Sequence, residues 1–172
     1  MLNRIFFFMD IYQFLAKHDI EYEHYDHPPV FTCEEANRLC PEMPAGAAKT
    51  KNLFLRDKKG LHHFLVTVRD TKRVDVKSLG SLLGVRKLSF ASPKRLQKYL
   101  GLDPGSVTIL GLVNDVDKEV EVIVDEDVWN SKAIRCHPLV NTSTVVISQD
   151  DIRRFLGLTG HNVRILCVPS RS

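Results

Sequence analysis

The segment Lys49-Thr50-Lys51-Asn52-Leu53-Phe54-Leu55-Arg56-Asp57 sets a lysine and an asparagine at the head of an apolar run that reads as a core strand. A half-buried strand ordinarily keeps charge at its ends or on its wet face. A cation in that place either snorkels to solvent or points into a pocket for something anionic. Alternation along a strand puts Lys49 and Lys51 on one side and Asn52 on the other. An ammonium fixed in this way can anchor a phosphate or a carbonyl oxygen; two solvated edge lysines are the plainer reading of the same spacing. A second polar stretch, Cys136-His137-Pro138-Leu139-Val140-Asn141-Thr142, has a similar character. Cys136 and His137 are neighbours on a strand and face opposite ways, so they cannot form an activated cysteine–histidine pair. Cys136 is expected in the core. His137 precedes a proline, which favours extended backbone and a strand end where a ring can line a cleft. Gly105-Ser106-Val107-Thr108 is either an ordinary turn or a place where backbone amides meet a ligand, since glycine allows close approach. Of the other histidines, His62 and His63 read as strand positions, one inward and one outward, while His24 and His27 flank a loop with no role assigned.

No phosphate loop, dinucleotide fingerprint, GxSxG or HExxH is present, so a site must be assembled from scattered residues. The chain has 172 residues, 44% hydrophobic and 26% charged, which suits one soluble domain with a real core. A net charge of +3, from 24 basic and 21 acidic residues, neither demands nor discourages a nucleic-acid partner. Cys33, Cys40, Cys136 and Cys167 form no CxxC pair, which points to reduced thiols in a cytoplasmic protein rather than a disulfide framework or a metal site. No metal and no cofactor are expected. No run approaches the roughly 18 apolar residues of a membrane span, so no membrane partner is expected. Residues 1–8, Met-Leu-Asn-Arg-Ile-Phe-Phe-Phe, are too short for a signal peptide. They are read as an N-terminal extension, upstream of a functional beginning at Met9-Asp10 or packing on the body, ahead of a single domain over 9–170.

The elements that must position these residues follow from capping and periodicity. A helix is expected over Asp10–His18, a strand over Glu21–Tyr25, and a helix from the capping box Thr32-Cys33-Glu34-Glu35 to about Cys40. Thr50–Arg56 and Leu61–Val68 read as paired strands about an Asp57-Lys58-Lys59-Gly60 turn. Asp75 can cap a helix ending at Gly84, and Ser92-Pro93 can open one ending at Gly101. Strands are expected at Lys87–Phe90, Val107–Leu110, Glu119–Val124, Ile134–His137, Ser143–Ile147 and Val163–Val168, with a helix opened by Ser148. This mixture of hairpins and helices predicts a mixed α/β (α+β-like) sheet flanked by helices.

Five segments in one order, KTKNLFLRD, HHFLVTVRDTKRVD, LSFASPKRLQKYLGLDPGSVT, CHPLVNTSTVVIS and GHNVRILCVP, resemble the free-standing prolyl-tRNA editing family, the YbaK/ProX group. Its fold, a curved or partly barrel-like sheet with flanking helices, also occurs as the editing insertion of bacterial prolyl-tRNA synthetases. The resemblance runs from about Met9 to Pro169 and is strongest to the subgroup that deacylates alanine mischarged on proline tRNA. It implies a trans-editing deacylase whose partner is the tRNA 3′ end, with prolyl-tRNA synthetase as a docking partner. It implies that Lys51 is the key functional residue, with Asn52 beside it and His137 at the amino-acid end of the pocket. The family's glycine loop falls on Gly105 to Ile109, and Ile109 stands where the family has proline. Lys51 and Gly105 are thus the catalytic candidates, Asn52, Ser106, His137 and Asn141 the substrate-binding ones, and Lys49, Arg56, Lys58 and Lys94 the tRNA contacts. An activated ester needs no protein nucleophile, so water can attack while the protein orients and stabilises charge. Rival readings are a non-catalytic aminoacyl-tRNA or nucleotide-binding module using the same cleft, and a cysteine hydrolase using Cys136 or Cys33.

Overall fold

A computed structural model describes residues 9–172. The extension assigned to residues 1–8 lies outside the described residues. Helix α1 (Ile11–Lys17) is capped by the Asp10 carboxylate, which accepts from the amides of Tyr12 and Gln13. Strand β1 (Glu23–Asp26) follows, then α2 (Cys33–Leu39), which opens on a complete capping box between Thr32 and Glu35. The central strand β2 (Ala47–Arg56) turns back into β3 (His63–Arg69). Helix α3 (Val76–Leu83), the two-residue β4 (Ser89–Phe90) and α4 (Pro93–Leu100) come next. A 3-10 helix (Ile109–Asn114) leads to β5 (Val120–Asp125), the single-turn α5 (Glu126–Trp129), β6 (Ala133–Cys136), β7 (Ser143–Ser148), α6 (Gln149–Thr159) and β8 (Val163–Leu166).

The strands form one mixed sheet in the order β1-β7-β6-β2-β3-β5-β8, with β4 also on β2. β3 lies antiparallel to β2 and parallel to β5, and is buried on both faces, as a central strand with a parallel neighbour should be. One face carries Ala48, Phe54, Leu65, Val122 and Ile147 into a core completed by Leu15, Leu100 and Phe155 of α1, α4 and α6. The other carries Leu55, Phe64, Val66, Val68 and Ile123 against Leu79 of α3 and Val168.

The pairing of β2 changes along its length. Its first residues, Ala47, Ala48 and Lys49, run parallel to Ala133, Ile134 and Arg135 of β6. The strands then part, and the Thr50 hydroxyl donates to the Arg135 carbonyl at 2.8 Å where they separate. β4 takes up the same edge only at Leu55 and Arg56. Between these two pairings the edge of β2 meets no strand among the described residues, and a cleft opens beside it.

Several expected boundaries move for local reasons. Val107–Leu110 is not a strand: the Thr108 hydroxyl accepts from the Leu110 amide, and Ile109, Leu110 and Leu112 enter the core as a 3-10 helix packed on α4. The strand expected over Lys87–Phe90 shrinks to Ser89–Phe90 because Lys87 has a left-handed φ of 52°, which ends extended pairing. β2 begins earlier than expected, at Ala47, because two alanines fit where β6 packs beside them. β1 falls two residues later than expected at its start, and β8 ends at Leu166.

Two buried polar contacts carry measurable consequences. The Lys72 ammonium sits 2.8 Å and 2.9 Å from the two oxygens of Asp125, whose side chain is 1% exposed and also accepts the Val168 amide. Removing one partner of such a pair strands the other charge in the interior. Lys72→Ala is expected to lower unfolding free energy by roughly 3 kcal/mol, read from the urea midpoint. His63 is enclosed by Phe54 and Tyr99, and its Nε2 accepts from the Arg95 guanidinium at 2.9 Å. Burial first, then the positive charge of Arg95, pushes its pKa down to about 4. The folded state therefore holds the ring neutral where the unfolded chain protonates it. Its stabilising share is whole above the ordinary histidine value and is lost as pH falls from there towards 4. His63→Phe should flatten that part of the pH–stability curve in denaturant titrations.

Candidate functional site

The cleft beside β2 encloses a cavity of about 250 Å³. β2 supplies Lys49, Thr50, Lys51 and Asn52; the end of β6 supplies Arg135, Cys136 and then His137; β7 supplies Thr144. α2 forms the opposite wall with Cys33, Ala36, Asn37 and Cys40, and Phe31 and Gly105 meet at the mouth. β6 ends at Cys136 while β2 runs on to Arg56, so beyond Lys49 no hydrogen-bonded neighbour fills the space beside β2 until β4 joins it at Leu55.

Lys51 is half-buried, and its ammonium donates to the Asp70 carbonyl at 2.8 Å. An ammonium has three donors, and that carbonyl takes one while holding the side chain at the cavity wall. Lys49 reaches across to α2 and donates to Asn37 Oδ1 at 2.7 Å. Arg135 is committed to the backbone, donating to the carbonyls of Ala47, Met43 and Pro44. Asn52 works as a strut: its amide donates to the Val107 carbonyl at 3.2 Å and its Oδ1 accepts from the buried Thr67 hydroxyl at 2.7 Å. It thereby fixes the loop after Gly105 to the sheet.

Asp103-Pro104-Gly105-Ser106 is a turn closed by the Ser106 amide on the Asp103 carbonyl at 3.0 Å. Gly105 has φ +90°, the left-handed conformation that the third residue of a type II turn requires and that favours glycine. A Cβ there would stand 2.8 Å from Cδ1 of Phe31. The Ser106 amide is consumed by the turn, and Ser106 is buried but not part of the cavity wall. Asn141 also stands behind the wall, donating to the Val30 carbonyl at 3.1 Å.

His137 donates from Nδ1 to the Ser143 carbonyl at 3.0 Å. Burial, aided by the neighbouring His27, lowers its pKa, and the Ser143 contact offsets part of that. The ring is neutral at pH 7 with Nε2 carrying the lone pair. Cys136 is buried, its thiol is pushed up to about 12 by burial, and it contacts the Val145 carbonyl at 3.9 Å. A thiol so held is not a nucleophile, which removes Cys136 from the cysteine-hydrolase reading. Burial likewise raises the Cys40 thiol, against the nearby charges of Lys49 and Arg135.

The cavity thus gathers Lys49, Lys51, Asn52, Gly105 and His137 and leaves Arg56, Lys58 and Lys94 outside it. Arg56 folds back onto the carbonyls of Asp57 and Lys58. Sequence reasoning missed Phe31, Asp70, Arg135 and Thr144. The last two look like ordinary strand positions, and the first two belong to segments whose approach to Lys51 only the closed fold creates.

A family model for the aminoacyl-tRNA editing domain matches residues 27–155, a span containing every cavity residue from Val30 to Thr144. The chain belongs to the aminoacyl-tRNA editing domain family. Within the family it is 38% identical over 147 residues to the prolyl-tRNA editing protein ProX of Acetoanaerobium sticklandii, covering 86% of this chain and 88% of that one. It is 35% identical over 160 residues to prolyl-tRNA synthetase associated domain-containing protein 1 of Danio rerio, covering 91% and 85% respectively. The crystal structure of the hypothetical protein APE2540 superposes with a TM-score of 0.67 over 90% of this chain and 97% of that one. At 17% identity that likeness speaks for the fold.

The strut role of Asn52 is open to measurement. Asn52→Ala leaves the Val107 carbonyl and the Thr67 hydroxyl without their partner, and is expected to cost about 1–3 kcal/mol in chemical denaturation. Gly60, at a distant turn, provides a control region whose proteolytic susceptibility should stay unchanged while that of the Gly105 loop rises.

Proposed function

We propose that the chain is a trans-acting aminoacyl-tRNA deacylase that hydrolyses the ester of mischarged tRNA, with alanyl-tRNA(Pro) as its substrate. The observation that carries this reading is the meeting of the Lys51 ammonium, the neutral His137 ring and the Gly105 turn in one small cavity at the free edge of β2. Family membership supplies the reaction class, and its named relatives are prolyl-tRNA editing and prolyl-tRNA synthetase-associated proteins.

The 3′-terminal adenosine would enter past Phe31 and Gly105. The two donors of Lys51 not taken by Asp70 would then hold its phosphate or the ester oxygen. The acyl group would lie towards His137. Water would attack the ester carbonyl, the C–O bond to the ribose would break, and the ribose oxygen would leave with a proton relayed by the adjacent ribose hydroxyl. With the Ser106 amide spent on closing the turn and Pro104 lacking one, the Gly105 amide would face the developing oxyanion, where a preorganised donor is worth most. A cavity of about 250 Å³ suits a small acyl group, and exclusion of the cognate residue would be steric. Lys49, on the cavity wall, and Arg56, Lys58 and Lys94, outside it, are assigned to tRNA phosphates. Ser106 and Asn141 are assigned supporting roles behind the wall. The domain is taken to span 9–170, to work in the cytoplasm and to act alongside prolyl-tRNA synthetase.

Deacylation of alanyl-tRNA(Pro) should fall at least about 100-fold in Lys51→Ala, the scale of losing one fixed electrostatic contact to the reacting group. Turnover by Lys51→Ala equal to wild type would overturn the role of that ammonium. Absence of turnover by wild type on a panel of small mischarged amino acids would overturn the function.

A further inference from the structure

We propose that the basic pole formed by the turn over residues 57–62, the loop between α3 and β4, and helix α4 docks the double-helical acceptor stem of the tRNA, an assignment that rests on the deacylase reading above. Charge is unevenly spread along the chain. Residues 56–99 hold 12 of its 24 Lys and Arg residues but only 3 of its 21 Asp and Glu residues, a net of +9 in a chain whose total is +3. Folding concentrates much of this charge in one place. The Lys58 amide donates to the Arg86 carbonyl at 3.2 Å, which brings the turn against the α3–β4 loop. Arg95 of α4 donates to the Gly60 carbonyl at 3.2 Å and to His63 Nε2 at 2.9 Å, which brings the helix against the same turn. Lys58, Lys59, Arg86, Lys87, Lys94 and Lys98 are exposed on these three segments. Two carboxylates stand by the turn: Asp57, which is buried and accepts the amides of Leu61 and His62, and Glu121, which pairs with His62. The exposed cations outnumber them.

The pole lies where a tail held in the cavity leads. β4 joins β2 at Leu55 on the edge that borders the cavity, and the Phe54 carbonyl accepts the Ala91 amide just before α4 opens. Cavity, β4 and basic pole thus follow one another along a single edge of the sheet. From Lys51 to Arg56 the strand advances about 17 Å. A tRNA has four unpaired nucleotides beyond its last base pair, roughly 14 Å when stacked at about 3.4 Å each. With the ester beside Lys51, the first phosphates of the stem reach the pole. A duplex carries phosphates on two strands, and cations spread over three segments match that breadth better than they match one strand. Contacts to phosphate fix register and carry no sequence information, so the pole positions the stem and leaves discrimination to other groups.

The test uses alanine esterified to two carriers: a stem-loop with the acceptor-stem sequence of proline tRNA, and its four-nucleotide single-stranded tail alone. Each kcat/KM is followed from about 50 to about 200 mM salt, where counterion release dominates phosphate binding. Wild type should favour the stem-loop at low salt and lose that preference as salt rises. The triple variant Lys59→Gln, Arg86→Gln, Lys87→Gln should flatten the stem-loop salt slope by about 3, near 1 for each phosphate contact, with the slope on the tail as in wild type. These side chains are exposed, so unfolding midpoints should match wild type. Arg153→Gln, at an exposed position of α6, is the control and should keep the full slope. If the tail alone turns over too slowly to follow, the stem-loop slopes decide. Equal stem-loop slopes for the triple variant and wild type overturn the assignment. So does equal kcat/KM on the two carriers, or the same flattening per charge removed in Arg153→Gln. Binding of wild type to anionic lipid vesicles that the triple variant loses, with stem-loop slopes unchanged, gives the pole to a membrane surface and also overturns it. Hydrolysis of neither carrier by wild type overturns the deacylase reading itself and this assignment with it.

Discussion

Strand β2 cannot keep one neighbour along its whole length. Parallel to β6 for three residues and then released, it leaves a stretch of main chain whose sheet partner is missing. The residues at the gap, from Thr50 to Leu53, are half-buried, and their side chains tie β2 to the segments around it. Thr50 seals the point of parting, Asn52 ties in the Val107 loop, and Lys51 leans on the Asp70 carbonyl. The cavity is what remains between them and α2. Lys51 is held by the Asp70 carbonyl just beyond β3, and His137 by the Ser143 carbonyl at the start of β7, while the separation of β2 from β6 opens the space they line.

The same constraint explains the division of labour among neighbouring residues. Arg135 and Asn52 have their donors committed to the protein and keep the walls in place. Lys51 and His137 each have one contact that fixes orientation and further capacity directed elsewhere. Preorganisation of this kind suits hydrolysis of an already activated ester, where positioning and charge outweigh the need for a strong nucleophile. The high thiol pKa of Cys136 is consistent with that economy: the cysteine fills space.

Gly105 shows how far a single backbone conformation reaches. Its left-handed φ closes the turn that brings Val107 to Asn52, and its missing side chain lets Phe31 pack at the mouth. Ile109, where the family pattern has proline, begins a 3-10 helix and is buried in the main core.

Local signals in the sequence settled much of the frame. Asp10, Thr32, Asp75, Ser92 and Ser148 cap the helices their positions announce, because a cap is a contact between near neighbours in the chain. Family motifs likewise placed Lys51, His137 and Gly105, which do share one cavity. The sequence misread Val107–Leu110, whose β-branched start is overridden by burial of Ile109 and Leu110 against α4. Nor could it supply what lies across the cavity. That Asp70 meets Lys51, that Thr144 meets His27, and that Arg135 stands at the parting of two strands are consequences of pairings between distant segments. Chain order carries the short-range contacts; the sheet's order in space, which closes loops of tens of residues, decides the long-range ones.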